Sequence, residues 1–187
     1  MKTMTDEEYA MFLTRLPEAG VRDRCILLLL LHTGLRNGEL CALRIQDLYA
    51  QKQPFHQIEV ANGHGHHRHF RMLPLTGQLI DALSEYYTAR SARFGAPDPA
   101  SPAFITLKRK MGIQQRDVQR IAKHYTLLWL SRAFTPHSFR HTYATRLMRK
   151  ASLRVVQQLL GHLSISSTQI YTHPSQEDMS RAVNDAF

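Results

Sequence analysis

One uninterrupted run of apolar residues, 25–31, most constrains how this chain can fold. The pattern around it predicts a helix over 21–33, and Gly34 follows where a helix commonly ends in a left-handed residue. A helix that is apolar on nearly every side must be covered by other elements. Because the run stops at His32, far short of the ~20 apolar residues that cross a bilayer, it predicts the central helix of a globular core.

Capping residues and hydrophobic periodicity predict that further helices surround this one. Thr5 to Glu8 form a capping box at the start of a helix that runs to about Leu16. Thr76 and Ser152 are suited to cap two more helices. The other expected helices lie at 37–43, from the Thr76 cap to about residue 94, and at 114–128, 138–149, 152–160, 166–172 and 176–186.

Two segments, 57–60 and 69–73, instead alternate between apolar and polar residues as strands do. Turn residues at 62–65 lie between them, so the pair is expected to form a hairpin with an irregular tip. At roughly 150 residues per domain, the 187 residues fit a single domain. The expected fold class is therefore α+β, mainly α-helical with one small antiparallel sheet, in one domain over 1–187.

Basic residues exceed acidic ones, and they do so unevenly. The chain has 24 Lys and Arg against 15 Asp and Glu, a net charge of +9, and between Asp117 and Glu177 there is no acidic residue. Such asymmetry is typical of a surface that binds a polyanion, most simply double-stranded DNA. The alternative is a solvated helix surface that is merely basic. The side chains expected to contact DNA are Arg68, Arg71, Arg120 and Lys123.

The two cysteines of the chain indicate its compartment. Cys25 and Cys41 both lie among aliphatic residues, as small core residues of a reduced protein do, and they do not suggest a disulfide framework. With no membrane-spanning run, the sequence predicts a cytoplasmic protein that is associated with the nucleoid through its DNA partner.

Four short motifs carry residues suited to chemistry. They are HTGLRNGEL at 32–40, PHSFRH at 136–141, LGH at 160–162 and TQIYTH at 168–173. In this combination they resemble the catalytic domain of the tyrosine recombinases, the phage-integrase family, and the resemblance covers nearly the whole chain. It implies a mainly helical catalytic domain that cleaves and rejoins DNA through a 3′-phosphotyrosyl intermediate.

The motif residues also make chemical sense by themselves. Transfer of a phosphodiester needs positive charge beside the anionic non-bridging oxygens, a nucleophile and a proton for the leaving oxygen. Arg36 and Arg140 are the candidate phosphate clamp, since each guanidinium offers a fork of donors. His137 lies three residues before Arg140, on the same helix face, and is the candidate base. Tyr171 is the candidate nucleophile, and its phenol needs a nearby positive charge or a base to ionise at neutral pH.

Two further residues have a functional and a structural interpretation. The resemblance implies that His162 donates to a phosphate oxygen, whereas a histidine at a helix end can simply favour the negative pole of the helix dipole. Glu39 is expected to orient the site, or to be no more than an ion-pair partner of Arg36 or Arg44. Two other histidines are expected to be structural or to face DNA, His141 and His173.

The hairpin tip departs from the family pattern. Members of the family usually carry a lysine there as general acid for the departing 5′ oxygen, whereas residues 62–69 read NGHGHHRH and contain no lysine. His64 occupies the nearest equivalent place, and an imidazolium with a pKa near 6.5 can donate that proton. Arg68 stays protonated, so it is suited to bind phosphate but not to act as an acid.

The same histidines could also suggest a metal site. His64 and His66 would share one face of a strand, and His67 and His69 the other, so the four rings would not converge. The run offers no cysteine or carboxylate to complete a site. No metal is expected, and no other cofactor either, because exchanging one phosphodiester for another of similar energy requires no external energy source.

The leading hypothesis is a site-specific DNA recombinase that acts in integration, excision or inversion, as a homo-tetramer on DNA and a monomer when free. The rivals are a DNA-relaxing topoisomerase, a metal-responsive binding module, and a non-catalytic DNA-binding regulator that keeps the fold, which the missing lysine favours. The sequence shows no helical DNA-clamping domain ahead of the catalytic one, as expected of an excised domain or a minimal recombinase. The amphipathic tail, 175–186, is expected to pack on a neighbouring subunit or on its own core.

Overall fold

The computed structural model describes residues 3–62, 69–107, 111–161 and 176–187. The helices are α1 (Asp6–Arg15), α2 (Val21–Thr33), α3 (Asn37–Ala42), α4 (Ile45–Leu48), α5 (Gly77–Phe94), α6 (Gln115–Leu130), α7 (Pro136–Met148), α8 (Leu153–Leu160) and α9 (Gln176–Ala186). The strands are β1 (Tyr49–Ala50), β2 (Gln53–Pro54), β3 (Gln57–Asn62) and β4 (His69–Pro74), and a short 3₁₀ turn covers Leu16–Glu18.

Helix α2 is the central helix of the core, as its apolar run predicts. Every side chain from Cys25 to Thr33 is buried. The helix is covered by α5 and α7 and also contacts α3 and α6. Burying apolar side chains on all sides is the main favourable contribution to folding, so this helix holds together α3 and α7, which carry residues of two of the motifs.

Side-chain caps fix the starts of several helices. Thr5 accepts the backbone N–H of Glu8, and the Glu8 carboxylate accepts that of Thr5, which confirms the predicted capping box. The predicted caps of α5 and α8, Thr76 and Ser152, are also present. Helix α7 begins two residues before its expected start, because Thr135 caps it and a proline occupies its first position.

The described strands form small antiparallel pairs. Strands β3 and β4 pair antiparallel from Gln57↔Pro74 to Asn62↔His69, which confirms the predicted hairpin. One sheet was expected, and that number is wrong, because β1 and β2 form a second antiparallel pair. Two-residue strands carry no periodic signal from which they could be predicted. The predicted fold class is confirmed.

The tail helix α9 packs on the core of its own chain. Its predicted apolar stripe is buried, Met179, Ala182, Val183 and Ala186. The Phe187 ring lies 4.6 Å from that of His32 and 5.6 Å from that of Tyr143, and Arg146 donates to the carbonyl of Ala186. The helix expected at 166–172 lies outside the described residues. Of the helices that the structure describes, none has the length and apolar character needed to cross a membrane.

Candidate active site

An open cleft of about 460 Å³ lies where α3, α6 and α7 begin. Three of the residues that the motifs single out line it together, Arg36, His137 and Arg140. The other lining residues are Leu35, Asn37, Gln115, Gln119, Thr135 and Pro136. The fold thus gathers residues that are distant in the sequence around one cationic cleft of a size that can admit a phosphodiester.

Gly34 explains how the chain brings Arg36 to the cleft. It ends α2 in the left-handed conformation, with φ of +60°. A Cβ atom at this position would lie 2.4 Å from Cδ1 of Tyr143, so only glycine fits. The chain then turns so that Arg36 stands directly before α3 in an extended conformation.

Arg140 is held from both sides by backbone oxygens. Its guanidinium donates from Nη1 to the carbonyl of Gly34 and from Nη2 to that of Leu160, each at 2.6 Å. Burial, with the neighbouring charges of Arg36 and Arg71, lowers the pKa of Arg140 to about 10. The side chain therefore stays cationic at neutral pH. Because carbonyl oxygens carry only partial charge, these two contacts orient the guanidinium without neutralising it.

His137 is exposed at the start of α7, one turn before a second histidine. Its Nε2 atom lies 2.9 Å from Nε2 of His141, so one ring donates its proton to the other. The two rings meet edge to face, with centroids 4.4 Å apart. Sequence reasoning did not pair these two side chains, although a spacing of four residues on a helix was the signal that places them side by side.

Glu39 binds Arg36 and a third arginine that sequence reasoning did not connect with it. Its carboxylate accepts the backbone N–H of Arg36 at 2.7 Å and Nη1 of the same residue at 2.8 Å. Arg71 donates to both carboxylate oxygens, at 3.0 and 2.7 Å. Burial raises the pKa of Glu39, but the arginine contacts outweigh it and hold that pKa below its usual value. The expected alternative partner, Arg44, instead donates its backbone N–H to Asp47.

Arg71 was expected to contact DNA, and its position in the structure corrects that expectation. Its side chain is only 4% exposed, and its donors go to Glu39 and to the carbonyl of Leu159. A guanidinium enclosed in this way does not meet a phosphate backbone. The strand alternation was the available signal, since Arg71 and Leu73 share the buried face of β4 while Phe70 is 60% exposed.

Arg120 and Lys123 lie on the exposed side of α6, the helix that contributes Gln115 and Gln119 to the cleft. The Arg120 side chain is 80% exposed and contacts Asp117 at 3.2 Å. A polyanion in the cleft would therefore find further positive charge along the same helix.

The remaining predicted residues lie outside the described part of the chain. They are His64, Arg68, His162 and Tyr171, together with the histidines at 66, 67 and 173. Among the described residues, no group of three or more His, Cys, Asp or Glu side chains converges as metal ligands would.

Comparison with known proteins identifies the class of this domain. The model of the phage integrase family matches residues 2–178. Tyrosine recombinase XerA of Pyrococcus furiosus is 34% identical over 188 residues, which cover 99% of this chain and 62% of that protein. The chain belongs to the phage integrase family.

Two solved structures share the fold. The crystal structure of XerA recombinase matches with a TM-score of 0.74 and 27% identity, over 97% of this chain and 63% of that one. XerH site-specific recombinase, in a pre-cleavage complex with its difH substrate, matches with a TM-score of 0.72 and 21% identity, over 97% and 53%. This chain thus spans somewhat over half the length of the relatives that it matches.

Proposed function

We propose that this chain is the catalytic domain of a site-specific DNA recombinase, which cleaves and rejoins DNA through a 3′-phosphotyrosyl intermediate. The observation that carries the proposal is the convergence of Arg36, Arg140 and His137 on one cleft. Two arginines that line one open space are suited to stabilise the charge of a phosphoryl transition state. The relative XerH is itself a site-specific recombinase, whose structure was solved with its difH substrate in a pre-cleavage complex.

In the reaction, the Tyr171 oxygen attacks the phosphorus and displaces the 5′ oxygen of the next nucleotide. His137 takes the phenol proton, while Arg36 and Arg140 bind the non-bridging oxygens as their negative charge grows. His162 adds a donor to one of these oxygens, and His64 supplies the proton that the departing 5′ oxygen needs. Attack of a 5′ hydroxyl on the phosphotyrosine reverses these steps and reseals a strand.

The partner in this proposal is double-stranded DNA that carries a recombination site, and the assembly on it is a homo-tetramer formed from free monomers. Arg120 and Lys123 contact the phosphate backbone beside the cleft, and Arg68 does so from the hairpin tip. Such contacts supply affinity without sequence information. The protein acts in the cytoplasm, on the nucleoid.

Covalent capture tests the proposal. The protein is incubated with a pool of nicked duplexes that contain randomised inverted repeats, and DNA that stays attached after denaturation is recovered and sequenced. A recombinase enriches a defined site, because the nick lets the cleaved fragment diffuse away and traps the adduct. If no duplex is captured although the protein binds DNA, the catalytic proposal is contradicted.

The second candidate function is a DNA-binding regulator that has lost catalysis. The observation that favours it is the hairpin sequence 62–69, which has no lysine to act as the general acid. A regulator would enrich a site from the same pool by reversible binding and leave no adduct. The two functions therefore give opposite results in one experiment.

A further inference from the structure

The geometry points to Arg71 as a positioning residue for strand cleavage. Its side chain fixes three separate parts of the site relative to one another. This inference rests on the proposed function. It assigns to a buried arginine of β4 a part in the reaction that is separate from DNA contact and from the chemistry of the transferred phosphate.

Arg71 distributes its donors between two elements that are remote in sequence. Nη1 and Nη2 bind the two carboxylate oxygens of Glu39, at the start of α3, and Nε binds the carbonyl of Leu159 at 2.9 Å, in the last turn of α8. A planar guanidinium can make a two-pronged contact on one edge and a third bond from Nε in fixed directions. The relative placement of α3 and α8 therefore depends on this one side chain.

Each of the two elements that Arg71 binds also supports one of the phosphate-binding arginines. On one side, Glu39 accepts both the backbone N–H and Nη1 of Arg36. On the other side, the residue after Leu159 is Leu160, whose carbonyl accepts Nη2 of Arg140. Arg71 thus binds Glu39, which supports Arg36, and the residue next to Leu160, which supports Arg140.

The third part of the site is the hairpin. Arg71 pairs with Val60 across the two strands, and the strands lead to the tip that carries His64 in the sequence. Anchoring β4 at Arg71 fixes the base of the hairpin relative to Arg36 and Arg140. A general acid at the tip must protonate an oxygen on the phosphorus that those arginines hold. The position of the hairpin relative to the arginines therefore affects the reaction rate.

A buried arginine elsewhere in the core provides a matched control. Arg90 is 7% exposed and donates to the carbonyls of Pro102 and Ala103 and to the hydroxyl of Ser101. Replacing either arginine by glutamine removes a buried charge and leaves at least one backbone carbonyl without its donor. Only the Arg71 replacement also releases Glu39 and the end of α8.

The experiment compares Arg71→Gln, Arg71→Lys and Arg90→Gln with the wild type. For each protein it measures the single-turnover rate of adduct formation at saturating duplex, the Kd for the same duplex, and the Tm. The duplex is the nicked site that the wild type enriches from the randomised pool. Rates are measured at a temperature at which all four proteins are folded.

We expect Arg71→Gln to form adduct about 100-fold more slowly than the wild type, because a small misplacement of reacting groups can cost a factor of that order. Its Kd should be nearly unchanged. Arg71→Lys should recover part of the rate, because one ammonium can still pair with Glu39 but does not span to Leu159. Arg90→Gln should have a lower Tm than the wild type and the same rate of adduct formation. If Arg71→Gln does not fold, a slowed Arg71→Lys with unchanged Kd supports the inference.

A folded Arg71 variant that cleaves at the wild-type rate overturns the inference, and so does an Arg90→Gln variant that slows by the same factor. Absence of any adduct with the wild type contradicts the proposed function itself, and the inference falls with it. If the wild type cleaves and the folded Arg71 variants cleave at the same rate, only the inference is contradicted, not the proposed function.

Discussion

The carbonyl oxygen of Gly34 accepts a 2.6 Å hydrogen bond from Nη1 of Arg140, a residue 106 positions further along the chain. This bond joins the end of α2 to α7 and so connects two motifs that the sequence shows only separately. Gly34 also lacks the side chain that would collide with Tyr143. One glycine therefore ends the central helix, admits the ring beside it and orients an arginine of the cleft.

Replacement of Arg36 should separate catalysis from DNA binding. Its side chain is 41% exposed and lines the cleft, so Arg36→Ala leaves the core intact. We expect adduct formation to slow by at least about 100-fold, or ~3 kcal/mol of transition-state stabilisation. Affinity for DNA should fall far less, because many basic residues share the backbone contacts. Rates and Kd values on the captured duplex check this, with the exposed Arg15→Ala as control. An equal loss of binding and cleavage would favour a purely binding role.

Replacement of Glu39 should affect stability more than a surface carboxylate does. Glu39→Gln leaves the buried guanidinium of Arg71 without its counter-charge, and we expect the free energy of unfolding to fall by about 3 kcal/mol. Glu18 pairs with Arg15 on the surface, and Glu18→Gln should cost less than about 1 kcal/mol. Urea unfolding of both variants measures the difference. Similar losses would show that the Glu39 network contributes no more than an exposed ion pair.

The buried His32 should make the fold sensitive to acid. Burial, together with the charge of Arg146, lowers the pKa of His32 to about 3, whereas an unfolded histidine has a pKa near 6.5. As the pH falls below about 6.5, the unfolded chain takes up a proton that the folded chain refuses, so stability declines by up to about 1.4 kcal/mol per pH unit.

His32→Gln removes this titration and keeps an amide that can pair with Thr76, the present partner of Nδ1 at 2.8 Å. Urea unfolding at several pH values between about 7 and about 4.5 should show a shallower loss of stability in the variant. Parallel curves for the two proteins would mean that His32 takes up its proton equally in the folded and unfolded states.

Much of the helical scaffold could be predicted, because its signals are local. The capping box at Thr5, the apolar run before His32 and the glycine after α2 each depend on neighbours within one or two turns. Arg36, Arg140 and Glu39 were grouped in the prediction only because their motifs occur in the order typical of the family. In the structure Arg36 and Arg140 line one cleft, and Glu39 binds Arg36.

What could not be predicted depends on contacts between distant segments. Arg71 and Glu39 lie 32 positions apart, and nothing local distinguishes a buried arginine from an exposed one on a strand except the face it shares with Leu73. The short strands β1 and β2 carry no periodicity. The pairing of His137 with His141 needed only helical spacing, so it was accessible to sequence reasoning but was not drawn from it.

The identity of the general acid can be tested at the hairpin. If His64 protonates the departing 5′ oxygen, His64→Ala should cleave ordinary DNA slowly and should be largely rescued when sulfur replaces that oxygen, because a thiolate leaves without a proton. Single-turnover rates on the two duplexes measure the rescue. If His64→Ala cleaves ordinary DNA at the wild-type rate, the general acid is another residue, and His66 and His67 are the next to be replaced.

The most direct test of the account is to find the residue to which the DNA becomes attached. The captured adduct is digested with protease and nuclease, and mass spectrometry locates the nucleotide that remains on the peptide. We expect a 3′-phosphate ester on Tyr171 in the wild type and no adduct with Tyr171→Phe. A nucleotide on any other residue, or an adduct that persists in Tyr171→Phe, would contradict it.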